Sequence, residues 1–140
     1  FLGFCVPASN QIRKFLFVKT GMSWSEAQSY CREKHTDLAT VHSQEEADQL
    51  LNITGDSLSD TAWIGLYRDD TQNWQWSNSD DVIYSNWDKG EPNTVGNNIC
   101  VEMYGKTDKE RGKWNDCGCH FPSPFFCYNG KDPSVFSLHL

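Results

Sequence analysis

Six cysteines in 140 residues constrain this chain more than any other feature. In a short chain, that density reads as a disulfide framework made in an oxidising compartment. Zinc ligation needs close pairs of the C-x-x-C kind. The one close pair is Cys117-Gly118-Cys119, with the wrong spacing. Six cysteines can pair in many ways, and the residues alone do not choose among them. The length suits one domain and is too short for two.

No apolar run approaches the ~20 residues of a membrane span, so no membrane insertion is expected. Phe1 to Val6 is apolar but too short for a signal-peptide core, which reads as a mature secreted product whose export signal has been removed. The net charge of -7 argues against nucleic acid as a partner and suits a cation site. Six Trp, eight Phe and five Tyr allow even a small core to bury substantial area.

Phe15 to Val18 followed by Thr20-Gly21 reads as a first strand. Ser23-Trp24-Ser25-Glu26 has the form of a helix capping box, and Trp24, Ala27 and Cys31 then fall on one face of a helix reaching about Lys34. Leu38 to Val41 reads as a connector with its apolar residues turned inward. Ser43 to Glu46 repeats the capping pattern before Ala47, Leu50 and Leu51. Asn52-Ile53-Thr54 is a glycosylation sequon placed directly after this second helix. Ala62 to Tyr67 reads as a buried strand. From Arg68 to about Asn98 periodicity fades into a long loop, too rich in tryptophan to be disordered. Trp74 and Trp76 are expected to form a small second core beneath it. Strands are expected at Ile99 to Tyr104, ending at Lys113 to Asp116, and at Pro124 to Tyr128, with a charged turn from Lys106 to Gly112.

Between Trp87 and Asp116 lie Glu91-Pro92-Asn93, then Asn97-Asn98 before Cys100, then Trp114-Asn115-Asp116 before Cys117. Carboxylate and amide oxygens are hard ligands that suit Ca²⁺. Neither cluster alone surrounds an ion that wants roughly six to eight oxygens; together they would. These triplets, with Trp63-Ile64-Gly65-Leu66 and the positions of Cys31, Cys100, Cys119 and Cys127, resemble the C-type lectin-like domain over about Lys14 to Tyr128.

The resemblance implies an α+β fold: two helices flanking small antiparallel sheets, with a long calcium-binding loop region. It places residues 1–13 in an N-terminal extension, 14–129 in the domain and 130–140 in a tail. It implies the bridges Cys31–Cys127 and Cys100–Cys119. Cys5 and Cys117 are left over; they pair with each other, bridge two chains into an oligomer, or leave a free thiol. It implies one Ca²⁺ held by Glu91, Asn93, Asn98, Asn115 and Asp116, with a cis Pro92 turning the loop. The same five residues, with Val95, would contact the sugar. Glu91 before Asn93 is the family's mannose-type order, so mannose, fucose or N-acetylglucosamine on cell or microbial surfaces is the expected partner class. The family usually has Glu where Asn98 stands, so two carboxylates serve instead of three and weak Ca²⁺ binding is expected. The accessory calcium site of the family has no counterpart, because Thr94 and Ile99 replace its acids; Asp69, Asp70, Asp80 and Asp81 read as solvated charges. A calcium-independent binder of protein or ice is the alternative. His35, His42, His120 and His139 form no catalytic motif, so no enzyme is expected.

Overall fold

A computed structural model of the chain describes residues 13–105 and 110–130. The chain order is β1 (Lys14–Met22), α1 (Trp24–Lys34), β2 (Asp37–Leu38), α2 (Gln44–Thr54), β3 (Thr61–Arg68), β4 (Trp74–Trp76), β5 (Ile99–Tyr104), β6 (Trp114–Gly118) and β7 (Ser123–Asn129). The strands join one sheet in the order β1-β7-β3-β5-β6, with β2 added beside β7 and β4 beside β3. The two helices and the largely antiparallel pairing are as expected for the α+β fold. The sheet is single and mixed, because β3 meets β7 in parallel where Trp63 lies opposite Phe125.

Helix α1 forms where its signals lie. The Ser23 side chain accepts from the Glu26 amide while the Glu26 carboxylate accepts from the Ser23 amide. Trp24, Ala27 and Cys31 are its buried face. The Cys31–Cys127 bridge then fastens that face to β7 across 96 residues of chain. Cys100–Cys119 forms as well. Cys5 lies outside the described residues, so its pairing with Cys117 does too; among the described residues Cys117 has no disulfide partner.

Helix α2 keeps only half of its capping box. Ser43 accepts from the Glu46 amide, but the Glu46 carboxylate takes the His42 amide and an ion pair from Arg13 instead. The sequon lies on the last turn of α2 rather than after it. Thr54 is buried there, its hydroxyl donating to the Leu50 and Leu51 carbonyls, while Asn52 stays exposed.

Trp74 and Trp76 do not form a separate core. They make β4, paired with β3, and Trp76 sits in the main core with Leu50, Ile64, Met103, Trp114 and Phe126. Gly65 fits because a Cβ there would meet the Ala39 carbonyl at 3.0 Å, and its amide donates to that oxygen. Asp69 and Asp80 are also not plain solvated charges. Asp69 organises the β3–β4 turn by accepting from Thr71, Asn73 and Gln75, and Asp80 pairs with His42 at 2.8 Å. The long loop is thus ordered by side chains: Asn78 bonds Thr40 and Tyr128, Tyr84 bonds Gln44, and Asn86 bonds the Gly112 carbonyl.

Candidate functional site

Trp114 is the anchor of the site. It is fully buried at the start of β6, with edge-on contacts to Trp76, Tyr84 and Trp87. The loop is drawn to it by backbone: the Trp114 amide donates to the Asn86 carbonyl and the Asp88 amide to the Trp114 carbonyl. Asn115 and Asp116 follow at once, so the anchor fixes their distance from the loop carrying Glu91 and Asn93.

Asp116 is only 2% exposed. Its Oδ1 accepts from the Asn93 amide at 3.0 Å and its Oδ2 from the Thr94 amide at 2.8 Å. The Thr94 hydroxyl donates to the Asp116 backbone carbonyl at 2.9 Å. Glu91 also contacts the Asp116 carboxyl. Burial pushes that carboxyl up, but the amides of Asn93 and Thr94 and the contact with Glu91 outweigh burial and hold it below the usual Asp value. The Glu91–Pro92 bond is cis, as the resemblance implied.

Asn115 stands directly across from Glu102 on β5, and its Nδ2 donates to Glu102 at 2.9 Å. That bond turns the amide oxygen of Asn115 away, available as a ligand. Glu102, Glu91 and Asp88 surround Tyr104, whose phenol is pushed up by burial first and then by these three charges. The neighbourhood is therefore acidic, and its donors are carboxylate and amide oxygens. This set fits Ca²⁺ and not a soft metal.

The other two proposed residues are Asn98 and Val95. Asn98 has a left-handed backbone (φ 62°), and its carbonyl accepts from the Cys119 amide. It lines a cavity of about 300 Å³ with Ser23, Tyr67, Arg68 and His120. Among the described residues its side chain makes no hydrogen bond to Asn93 or Asp116. Val95 is at the loop tip, 92% exposed. Cys117 lies beside Glu102, and as a thiol it is pushed well up by burial first and by that carboxylate next.

Three residues escaped the sequence reading. Thr94 was treated only as a missing acid, yet it closes the loop on Asp116. Glu102 orients Asn115, and strand alternation placing it opposite was the available signal. Arg68 donates to the carbonyls of Thr94 and Gly96; a lone cation beside an acidic loop was its only mark.

The family model described as the lectin C-type domain matches residues 20–129. The chain is 38% identical over 112 residues to E-selectin of Equus caballus, covering 78% of this chain and 18% of that protein. It is also 38% identical over 117 residues to ladderlectin of Oncorhynchus mykiss, covering 79% and 60%. It thus spans under two thirds of these relatives. Among solved structures, the carbohydrate-recognition domain of cow CD23, solved in the presence of a GlcNAc2Man3 oligosaccharide, superposes with a TM-score of 0.74 at 31% identity, covering 86% of this chain and 90% of that one. A calcium-independent type II antifreeze protein superposes with a TM-score of 0.73 at 27% identity, covering 84% and 86%. With its cysteine bridges, buried tryptophan anchor and matched family model in agreement, the chain belongs to the C-type lectin domain family.

Proposed function

We propose that the protein binds glycans through one weakly held Ca²⁺ at the junction of Glu91, Asn93, Asn115 and Asp116. The observation that carries this reading is the buried Asp116 carboxylate, on which the loop of the first triplet closes through the amides of Asn93 and Thr94. Carboxylate and amide oxygens gathered at one point are the hard donors that suit Ca²⁺. When bound, the ion supplies open coordination positions for two vicinal sugar hydroxyls. Glu91 then accepts from one hydroxyl, and the exposed amide of Asn93 donates to another. The Glu-then-Asn order supports mannose, fucose or N-acetylglucosamine over galactose. Secretion, surface glycans of cells or microbes as partners, and glycosylation of the exposed Asn52 belong to the same reading.

A second reading, calcium-independent binding of protein or ice, is favoured by Asn98, an uncharged amide where the family usually has Glu, and by likeness to an antifreeze protein of that type. Calorimetric titration with Ca²⁺, followed by monosaccharide competition with and without EDTA, separates the two. The glycan reading expects millimolar Ca²⁺ binding and mannose competing before galactose. Undiminished ligand binding in EDTA overturns it. Glu91→Gln with Asn93→Asp is expected to weaken mannose and favour galactose.

A further inference from the structure

Arg68 stands at the end of β3, and its guanidinium reaches over to the loop. Nη1 donates to the Thr94 carbonyl at 2.9 Å and Nη2 to the Gly96 carbonyl at 2.7 Å. The group lies 5.6 Å from the centre of the Trp74 ring. Among the described residues no carboxylate pairs with it. This cation is thus held by carbonyl dipoles and an aromatic face. From the other side, Asp116 grips the same segment through the amides of Asn93 and Thr94 and the Thr94 hydroxyl. The segment has little packing of its own: Asn93, Val95 and Gly96 are exposed and Thr94 is half-buried. Segments with few buried contacts open locally, so here hydrogen bonds must supply the order.

We propose that Arg68 is a positioning residue, a built-in cation that holds residues 93–96 in the binding conformation before any metal arrives. Its purpose rests on the glycan reading above, but the loop order is measurable without it. A planar fork suits two carbonyls at fixed spacing, which one ammonium group serves less well. The apparent Kd for Ca²⁺ equals the intrinsic Kd divided by the fraction of loop already competent. If losing the clamp lowers that fraction to about a tenth, Ca²⁺ binding weakens about tenfold. Once Ca²⁺ saturates the site, the metal itself holds the loop, so sugar affinity returns to the parent value.

The test is amide hydrogen exchange on the full chain in EDTA, for the parent, Arg68→Ala and Arg68→Lys, followed by Ca²⁺ titration. The Asn93 and Thr94 amides of the parent should be protected without metal. In Arg68→Ala, exchange at positions 93–97 should rise at least about tenfold while β7 is unchanged, with Arg68→Lys in between. Ca²⁺ should bind about tenfold more weakly to Arg68→Ala, with sugar affinity at saturating Ca²⁺ unchanged. Parent-like exchange in Arg68→Ala, or a parent loop protected only after Ca²⁺ is added, overturns the proposal. If Arg68→Ala does not fold, Arg68→Lys decides: faster exchange confined to 93–97 supports the clamp, and parent rates refute it. If the parent binds no Ca²⁺ at all, the glycan reading fails while the exchange comparison still decides on Arg68.

Discussion

Replacing Asp116 by Asn separates the structural from the metal-binding part of this site. The Asp116 carboxylate is 2% exposed and accepts two amide hydrogens, at 3.0 and 2.8 Å. Hydrogen bonds to a charged acceptor contribute about 1.5–3 kcal/mol each. Asparagine keeps one oxygen, so one bond survives in weaker, neutral form. Its NH₂ faces the other amide, donor against donor, and leaves that amide unsatisfied. The calcium-free variant should therefore be less stable by about 2–4 kcal/mol. At roughly 2–5 °C per kcal/mol for a domain of this size, its Tm should fall by about 5–15 °C. The sign with pH is fixed. The folded pKa of Asp116 lies below its unfolded value of about 4, so its contribution is complete above that pH and is lost as pH falls through the folded value. The gap between parent and variant should be full at pH 7 and close in acid. For a Kd of ~1 mM, 10 mM Ca²⁺ stabilises the parent by about 1.4 kcal/mol; the variant should gain almost nothing. Scanning calorimetry at pH 7 and pH 3, in EDTA and in Ca²⁺, reads all of this. A variant melting within about 1 °C of the parent in EDTA would show that Asp116 does not hold the loop. A Ca²⁺ gain equal to the parent's would put the metal elsewhere.

Asn98→Glu restores a third carboxylate near the loop and should tighten Ca²⁺ at least about tenfold, or ~1.4 kcal/mol. The left-handed backbone at this position (φ 62°) makes the substitution cost the apo protein about 1–2 kcal/mol, and titration calorimetry showing unchanged affinity would leave position 98 outside the metal shell. Gly105→Ala should lose about 1–3 kcal/mol by urea denaturation, because a Cβ there would meet the Leu58 carbonyl at 2.4 Å and the Asp60 carbonyl at 2.9 Å; parent stability would mean that the β3–β5 end yields easily. Cys31→Ala with Cys127→Ala should cost about 2–5 kcal/mol in the same assay, since the bridge closes 96 residues of chain; a loss under 1 kcal/mol would assign the hold on α1 to packing alone.

What the sequence made legible was local or periodic. The α1 cap needs only Ser23 and Glu26, and the helix face needs only its spacing, so both were read to the residue. Strand β5 was found with its limits, although Ile99, Cys100 and Val101 are all buried and alternation begins only at Glu102. The three residues of β4 have no pattern of their own; they become a strand through pairing with β3, and Trp76 reaches the core by that pairing. The half-formed cap of α2 shows the same limit. Glu46 fits the motif, but the His42 amide and Arg13 compete for its carboxylate, and Arg13 lies more than thirty positions away. In the site, the triplets named Glu91, Asn93, Asn115 and Asp116. The partners that orient them, Glu102 and Arg68, act across strands and have no fixed offset along the chain.

The dual use of Asp116 is the physical question at the centre of the site. Both carboxylate oxygens already accept an amide hydrogen, which at first sight favours the calcium-independent reading. Each oxygen has more than one lone pair, however, and one amide bond leaves a position open for a cation. The amide bonds also favour the ionised form that a metal requires. The contact with Glu91 favours the ionised form of Asp116 as well. Loop closure by Asn93 and Thr94 is therefore compatible with metal binding and prepares for it. An ionised carboxylate held at the junction of the two triplets is what weighs the site toward Ca²⁺.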